Sequence, residues 1–313
     1  MIKIFKGTSV GVLAGALFAM AGFSETVSLG TTKGGATAQI STAIAKVISE
    51  RGDIQMRPQP MANTSQYIPM VDAGDLDFGI ANNPQTWYAV NGSGMSKTAA
   101  KNLRIVATLF PFQAGIVVPS DLGISSFGEL AGKTVPRFPD NSLGDFIIRA
   151  ALNAGDLDYS DVKSVPVSNF PRMWDAMKQG QTHISIAAVG SKPTYDLEAA
   201  LSGITFLPFD LEDEAKLAEL LPGCFVMEIA PAKDVPGIAN GTRVFAYDYL
   251  LFANKNVSDS IITSTLTALY EGESGLKSAS PMFSRYVAEK IGKSLDIEYH
   301  PAALAFFKSK GIK

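Results

Sequence analysis

Hydrophobic and polar positions near the start of the chain change from the spacing of a strand to that of a helix. Residues 27–37 form a short apolar run and a glycine-rich loop, and apolar residues then recur at helical intervals from Ile40 to Ile48. This pattern predicts a strand, a loop and an amphipathic helix. Such a loop directs backbone N–H groups and the positive end of the helix toward one point, where an anionic group could bind.

The same alternation continues and predicts the rest of a first α/β unit. We expect, in order, strand 54–57, turn 58–63, helix 64–73, strand 78–81, helix 84–90, strand 103–110 and strand 115–118. The last two strands are joined by 111–113, and we interpret this pair as a crossing from one lobe to another.

The order of elements then repeats. We expect strand 133–135, loop 136–143, helix 146–154, strand 162–167, a helix that begins near Pro171, and strand 184–188. In both copies a helix ends at a glycine, Gly74 or Gly180, and a polar residue three positions later, Asp77 or His183, opens an apolar strand. Although α/β proteins often reuse βαβ units, this agreement predicts two similar lobes.

The last part of the chain predicts a return crossing and a helical end. The apolar run 242–253 is the second crossing, and helices are expected at 258–272, 281–291 and 301–310. The predicted fold class is α/β, with two lobes that are each a mixed sheet flanked by helices, and a cleft between them. Residues 25–112 with 248–313 would form lobe 1, and residues 113–247 would form lobe 2.

The first residues of the chain have the pattern of an export signal. Lys3 and Lys6 precede an apolar stretch at 10–23, which contains a small-x-small cleavage site. We therefore expect residues 1–24 to be a cleaved signal peptide and the protein to be periplasmic. A retained membrane anchor is the alternative, but the apolar stretch is short for a membrane span.

Composition and charge argue against several classes of function. The 313 residues carry a net charge of −3, which gives no electrostatic footprint for nucleic acid. Cys224 is the single cysteine, and the two histidines, His183 and His300, are far apart in sequence. The pattern therefore offers no metal-ligand cluster and no convincing nucleophile–base pair, and we expect no catalytic residue, no metal and no cofactor.

Several short motifs resemble one family of binding proteins. Their order and local sequence are similar to those of the TAXI-type solute-binding proteins of TRAP transporters, within the type II periplasmic binding-protein architecture. The matching segments are Gly30–Gly35, Asn63–Thr64, Gly74–Ile80, Leu130–Val135 with Ser142, and Tyr299–Ala303. The resemblance covers nearly the whole mature chain.

The resemblance implies a function in uptake. Such proteins capture a small organic anion in the periplasm, a carboxylate or an amino acid such as glutamate or a dicarboxylate. They close around it by hinge motion and deliver it to the TRAP membrane permease; we expect a monomer. Two segments depart from the family pattern: Thr37–Ala38 stands where a Tyr pair is usual, and 140–144 stands where Gly-Ser-Gly-Thr is usual. These departures favour a different pocket shape and a different ligand.

In this architecture the ligand lies between loops at the carboxyl ends of strands, where helix N-termini point inward. The predicted ligand-binding residues are Thr32, Lys33, Gly35, Ala36, Thr37, Asn63, Thr64, Asn82 and Asn83 in lobe 1, with Arg137, Asn141, Ser142, Leu143, Val189 and Gly190 in lobe 2. Lys33 or Arg137 would neutralise the anion.

Each of the sharper assignments has an alternative. Lys33 could be a solvated loop lysine, Arg137 could pair with Asp140, and Asn82 and Asn83 could cap the helix that follows them. Ser142 is expected to cap its helix. Trp87, Tyr88 and Trp174 are expected to pack on helix faces, and His183 to be structural. For the whole protein, the alternatives are an exported enzyme or a ligand-sensing module on the same scaffold.

Overall fold

The computed structural model describes residues 25–312, which form ten strands, ten α-helices and five short 3₁₀ helices. The predicted signal peptide lies outside these residues. The strands are β1 (Glu25–Thr32), β2 (Ile54–Met61), β3 (Phe78–Asn82), β4 (Leu103–Pro119), β5 (Thr134–Arg137), β6 (Lys163–Pro166), β7 (Ser185–Ala188), β8 (Ile204–Phe206), β9 (Cys224–Ile229) and β10 (Thr242–Asn254). The helices are α1 (Gly35–Arg51), α2 (Thr64–Ala73), α3 (Asn83–Asn91), α4 (Leu143–Ala154), α5 (Phe170–Lys178), α6 (Lys192–Leu201), α7 (Asp213–Leu220), α8 (Asp259–Glu271), α9 (Glu273–Ala279) and α10 (Pro301–Lys310).

Eight of the strands form one mixed sheet in the order β2-β1-β3-β10-β4-β7, with β8 paired to β4 and β9 paired to β10. β1 is parallel to β2 and β3, whereas β10 is antiparallel to β3, β4 and β9. β5 and β6 form a second, parallel pair. The α/β fold with a mixed sheet flanked by helices is therefore as the pattern predicts.

Strands β4 and β10 cross the whole molecule side by side. β10 pairs with β3 through Tyr249–Ala253 and with β9 through Thr242–Tyr247, so its neighbour changes at Asp248. This change coincides with the predicted boundary between the lobes. The division into 25–112 with 248–313 and 113–247 stays a prediction, and we use lobe 1 and lobe 2 below for these two sets of residues.

The predicted pair of strands before the second lobe is in fact one strand. β4 runs without a break from Leu103 to Pro119, because residues 111–113 pair with 246–248 of β10. The prediction of a separate connector was wrong because a proline and its neighbours resemble a turn in sequence. The partner strand that holds them extended is far away in the chain.

Other elements also differ from prediction. The predicted turn at 58–63 is partly wrong, because β2 continues to Met61; β2 is an edge strand, where prolines such as Pro58 and Pro60 are tolerated. The predicted helix at 281–291 is two 3₁₀ turns, Pro281–Arg285 and Ala288–Lys290, which are separated by an extended Val287. Strands β8 and β9 were not predicted.

Side chains alternate between two faces of the sheet and build separate cores. Along β10, Tyr249 and Leu251 pack in the core that contains α1 and α8, while Leu250 and Phe252 pack in the core that contains α2. A third core lies under α5 and α6 in lobe 2. No helix within residues 25–312 is both long enough and apolar enough to cross a membrane.

Candidate functional site

The predicted site residues lie where strands end and helices begin. In lobe 1, β1, β2 and β3 end at Thr32, Met61 and Asn82, directly before the N-termini of α1, α2 and α3. Thr32 pairs with Met61, so these strand ends lie together at one end of the sheet. In lobe 2, β5 leads to α4 and β7 leads to α6. The structure thus places the lobe 1 residues at the carboxyl ends of β1, β2 and β3, and the lobe 2 residues at two helix N-termini.

The N-terminus of α1 has no cap. Gly34 occupies the N-cap position without a side-chain hydrogen bond, and no acidic residue lies in the first turn. Lys33 is exposed and forms no ion pair within residues 25–312. The Thr32 hydroxyl donates to the Gly34 carbonyl at 2.8 Å. The first N–H groups of α1 and a free ammonium group are therefore available to an anion.

Thr37 connects this helix to the crossing strand. Its hydroxyl lies 3.2 Å from the Tyr249 hydroxyl of β10, and its carbonyl accepts from Ser41 at 2.7 Å. Burial raises the pKa of Tyr249 to about 12, against the opposing effect of the Thr37 hydrogen bond. Tyr249 is therefore protonated at neutral pH and can donate. The sequence predicted Tyr249 only as part of an apolar run, so its hydrogen bond to Thr37 was not predicted.

Tyr249 also belongs to a group of three aromatic residues on the crossing strands β4 and β10. Phe112 of β4 is half-buried and stacks on Tyr247 with ring centroids 5.6 Å apart, and it meets Tyr249 edge-on at 5.5 Å. These three residues were absent from the predicted site. Cross-strand pairing brings them together, and the sequence holds no local signal for it.

The N-termini of α2 and α3 are linked by polar side chains. The Gln85 amide N–H donates to the Thr64 hydroxyl at 2.6 Å, and Asn82 exchanges hydrogen bonds with Gln85 at 2.9 and 2.7 Å. Asn82 therefore acts as a helix cap, which was the alternative for it. Asn63 is exposed and leaves α2 without a side-chain cap.

The N-terminus of α4 already holds a carboxylate. Ser142 accepts from the Asp145 N–H at 3.4 Å, as predicted, and Asp145 is buried in the first turn, where it accepts from the Asn141 N–H at 3.3 Å and the Tyr159 hydroxyl at 3.2 Å. A second anion at this helix would be repelled by Asp145. Leu143 is half-buried against the core.

Arg137 is also engaged within its own lobe. Its guanidinium binds Asp140 at 2.7 Å and lies 3.9 Å from the centre of the Tyr159 ring. The pairing with Asp140 that the sequence left open is therefore present. Arg137 also lines a groove of ≈ 840 Å³ between the β5–β6 ends and α5, which contains no lobe 1 residue.

The other helix N-terminus of lobe 2, that of α6, has fewer side-chain partners than that of α4. Ser191 is the N-cap of α6, but its hydroxyl makes no hydrogen bond within the described residues. Val189, one of the predicted residues before it, donates its N–H to the Gln113 carbonyl at 3.1 Å. The side-chain oxygen of Gln113, on the neighbouring strand β4, is also buried and has no hydrogen-bond partner within residues 25–312. In contrast to α4, α6 therefore has an N-cap hydroxyl without a hydrogen-bond partner among the described residues, although that hydroxyl is buried.

We expect Ser142→Ala to lower the free energy of unfolding by about 1 kcal/mol, the usual effect of a lost N-cap. It should leave anion affinity unchanged, because Ser142 already serves α4. Urea denaturation and calorimetric titration would measure both quantities. Ser258→Ala at the N-cap of α8, where the hydroxyl accepts from Ile261 at 3.4 Å, is the matched control. Weaker anion binding in Ser142→Ala alone would return α4 to the site.

The remaining candidates have structural roles. Nδ1 of His183 accepts from the Thr134 N–H at 2.9 Å, and burial, with Lys133 and Lys163 nearby, lowers the pKa of His183. His183 thus joins β5 to the segment before β7, as expected of a structural histidine. Within residues 25–312, no group of His, Cys, Asp or Glu side chains is arranged to hold a metal ion.

Comparison with known proteins gives a family and a fold. A model of the NMT1-like family matches residues 29–311. The periplasmic aliphatic sulphonate binding protein SsuA from Escherichia coli is similar with a TM-score of 0.53 at 15% identity, over 91% of this chain and 83% of that one. PhnD1 from Prochlorococcus marinus, solved with methylphosphonate, has a TM-score of 0.56 at 11% identity, over 93% of this chain and 100% of that one.

A third similar structure is a binding protein component of an ABC phosphonate transporter from Pseudomonas aeruginosa. Its TM-score is 0.54 at 11% identity, over 84% of this chain and 80% of that one. At such identities the likeness shows the fold, which is that of the two-lobed periplasmic binding proteins. The predicted architecture is therefore confirmed.

Proposed function

The chain belongs to the NMT1-like family, and on that premise we propose that it is the periplasmic solute receptor of a membrane transporter. It binds a small organic anion between the lobes and closes around it. The observation that supports this most is the uncapped N-terminus of α1 beside Lys33, which forms no ion pair within residues 25–312.

The chemistry of binding follows from that end of α1. Free N–H groups and the helix dipole stabilise negative charge, and Lys33 adds a point charge. Thr37 supplies a hydroxyl in the same turn, and Tyr249 connects it to β10. Since β4 and β10 are the strands that cross between the lobes, a ligand at α1 lies next to the hinge.

The ligand class is open between several anions. The resemblance to TAXI proteins favours a carboxylate and a TRAP permease, and both remain predictions. The structures with the same fold are described as sulphonate and phosphonate binders. We therefore consider sulphonates and phosphonates, as well as carboxylates, as ligands of this chain. All of these ligands carry a compact negative group that the α1 N-terminus could hold.

A ligand panel tests the receptor function. Glutamate, succinate, methylphosphonate and ethanesulphonate would each be added to the mature protein, followed by thermal unfolding and calorimetric titration. A ligand at one hundred times its Kd stabilises the folded state by about 2.7 kcal/mol. We expect at least one anion to bind, whereas no binding at millimolar concentration would contradict the proposal. Chemical conversion of a bound ligand, followed by NMR, would instead favour an exported enzyme.

Lys33→Ala is expected to weaken anion binding roughly 3- to 10-fold, as for one partly solvated charge of about 1 kcal/mol. The effect should shrink as salt rises because the charge is exposed. Lys46→Ala is the matched control, since Lys46 is an exposed lysine in the middle of the same helix. Equal affinities of Lys33→Ala and the wild type at low salt would remove Lys33 from the site.

A further inference from the structure

We propose that helix α3 of lobe 1 is a latch that holds lobe 2 in the closed arrangement, and that the Tyr88 hydroxyl sets how much of the protein is closed. The inference rests on the proposed function only in treating the molecule as a hinge-closing receptor. It concerns contacts that involve no ligand.

The first contact is a hydrogen bond between the lobes. Tyr88 is 7% exposed, and its hydroxyl donates to the Leu220 carbonyl at 3.0 Å. Leu220 is the last residue of α7. The final carbonyls of a helix have no partner within the helix, so Tyr88 of lobe 1 satisfies an acceptor that α7 itself leaves without a partner.

The second contact is apolar. The Tyr88 ring lies 5.0 Å from the ring of Phe146, which is buried in α4 of lobe 2. Both residues belong to one continuous core cluster. Separation of the lobes would expose both rings to water, which is unfavourable.

The third contact joins the start of α3 to the loop before β9. Asn83 is buried, and its side-chain amide lies directly over Gly223, so a Cβ atom at Gly223 would overlap it. Gly223 has φ +77, a conformation that favours glycine. The loop therefore approaches α3 by its backbone, at a position where a side chain would prevent the approach.

These contacts form only when the lobes meet. All three lie beside the crossing strands rather than within them, so opening at the hinge would break them while β4 and β10 stay paired. A contact that exists only in the closed state raises the closed population and, with it, the affinity of any ligand that needs that state. Loss of one net hydrogen bond changes such a population roughly 2- to 10-fold.

Tyr88→Phe tests the latch, because it removes the hydroxyl and keeps the ring. Spin labels at Gln39→Cys on α1 and Leu211→Cys before α7, both exposed positions, would report the distance between the lobes by pulsed EPR without ligand. We expect the Tyr88→Phe distances to shift toward longer values. Tyr195→Phe is the matched control, since its hydroxyl donates to the Asp234 carbonyl within lobe 2.

Gly223→Ala provides a second test that adds a group instead of removing one. Its methyl group would meet Asn83, so we expect longer distances than in Gly180→Ala. Gly180 has a similar positive φ of +69 but open space around it, which makes it a matched control for backbone strain. Circular dichroism would verify that each variant folds.

The outcomes separate the latch from the receptor function. Unchanged distances in both Tyr88→Phe and Gly223→Ala would overturn the latch, even if an anion binds. Longer distances in these variants support the latch, even if no panel anion binds and the receptor proposal fails. Where an anion does bind, its Kd should rise roughly 2- to 10-fold in Tyr88→Phe and stay unchanged in Tyr195→Phe.

Discussion

Replacing Lys293 with methionine is expected to lower the free energy of unfolding by about 3 kcal/mol, because it leaves a buried carboxylate without its partner. Asp248 lies in the crossing strand β10, and its side chain is 4% exposed. Lys293 forms the ion pair with it, and the ammonium group also lies 4.6 Å from the centre of the Phe225 ring. The value is at the lower end for a broken buried pair, since Lys293 itself is half exposed.

Chemical denaturation of a double-mutant cycle would isolate the pair. In an Asp248→Asn background the carboxylate is gone, so Lys293→Met should have a much smaller effect there. Lys290→Met is the matched control, because Lys290 is an exposed lysine in the same segment and forms no ion pair within residues 25–312. Equal losses in Lys290→Met and Lys293→Met would show that the pair contributes nothing.

Phe252→Ala is expected to lower the free energy of unfolding by about 4 kcal/mol, the range for an aromatic side chain removed from a core. Phe252 is fully buried on the face of β10 that packs against α2. Its ring covers Gly79 of the neighbouring β3, where a Cβ atom would overlap it. The substitution would therefore leave a cavity directly above a residue without a side chain.

The close fit of these two residues makes their effects non-additive. Gly79→Ala alone should cost about 1–3 kcal/mol by overpacking. In the Phe252→Ala background the added methyl enters the cavity, so its cost should vanish or change sign. Phe252→Leu, which keeps most of the volume, should cost roughly 1 kcal/mol. Additive losses measured in denaturant would contradict the described packing.

Sequence reasoning succeeded where the signal lies within a few residues. The helix at 64–73, which ends at Gly74, and the helix at 301–310 were both predicted, and both are confirmed. It failed where a distant strand decides the conformation, as at Pro111 in β4, or where apolar spacing continued through an extended residue, as at Val287.

The candidate site likewise has features that the sequence predicted and features that it did not. Loops at strand ends could be located from the sequence, and so could Lys33 and the Ser142 cap. Whether a helix N-terminus is free could not, because Asp145, Asn141 and Tyr159 fill the end of α4 through contacts that the spacing does not show. The periplasmic binding-protein fold was also predicted correctly, while the TRAP class of the transporter remains a prediction.

By itself the sequence determined most of the order of elements from β1 to β7 and the two-lobed α/β architecture, because periodicity and caps act over one or two turns of chain. Only the tertiary structure decided which groups meet. Thr37 and Tyr249 are 212 residues apart, and Tyr88 and Leu220 are 132 apart. Such pairs form because β4 and β10 run side by side from one lobe to the other. The course of these strands depends on pairing across the whole sheet rather than on any local pattern. The open end of α1 and the latch at α3 both arise there.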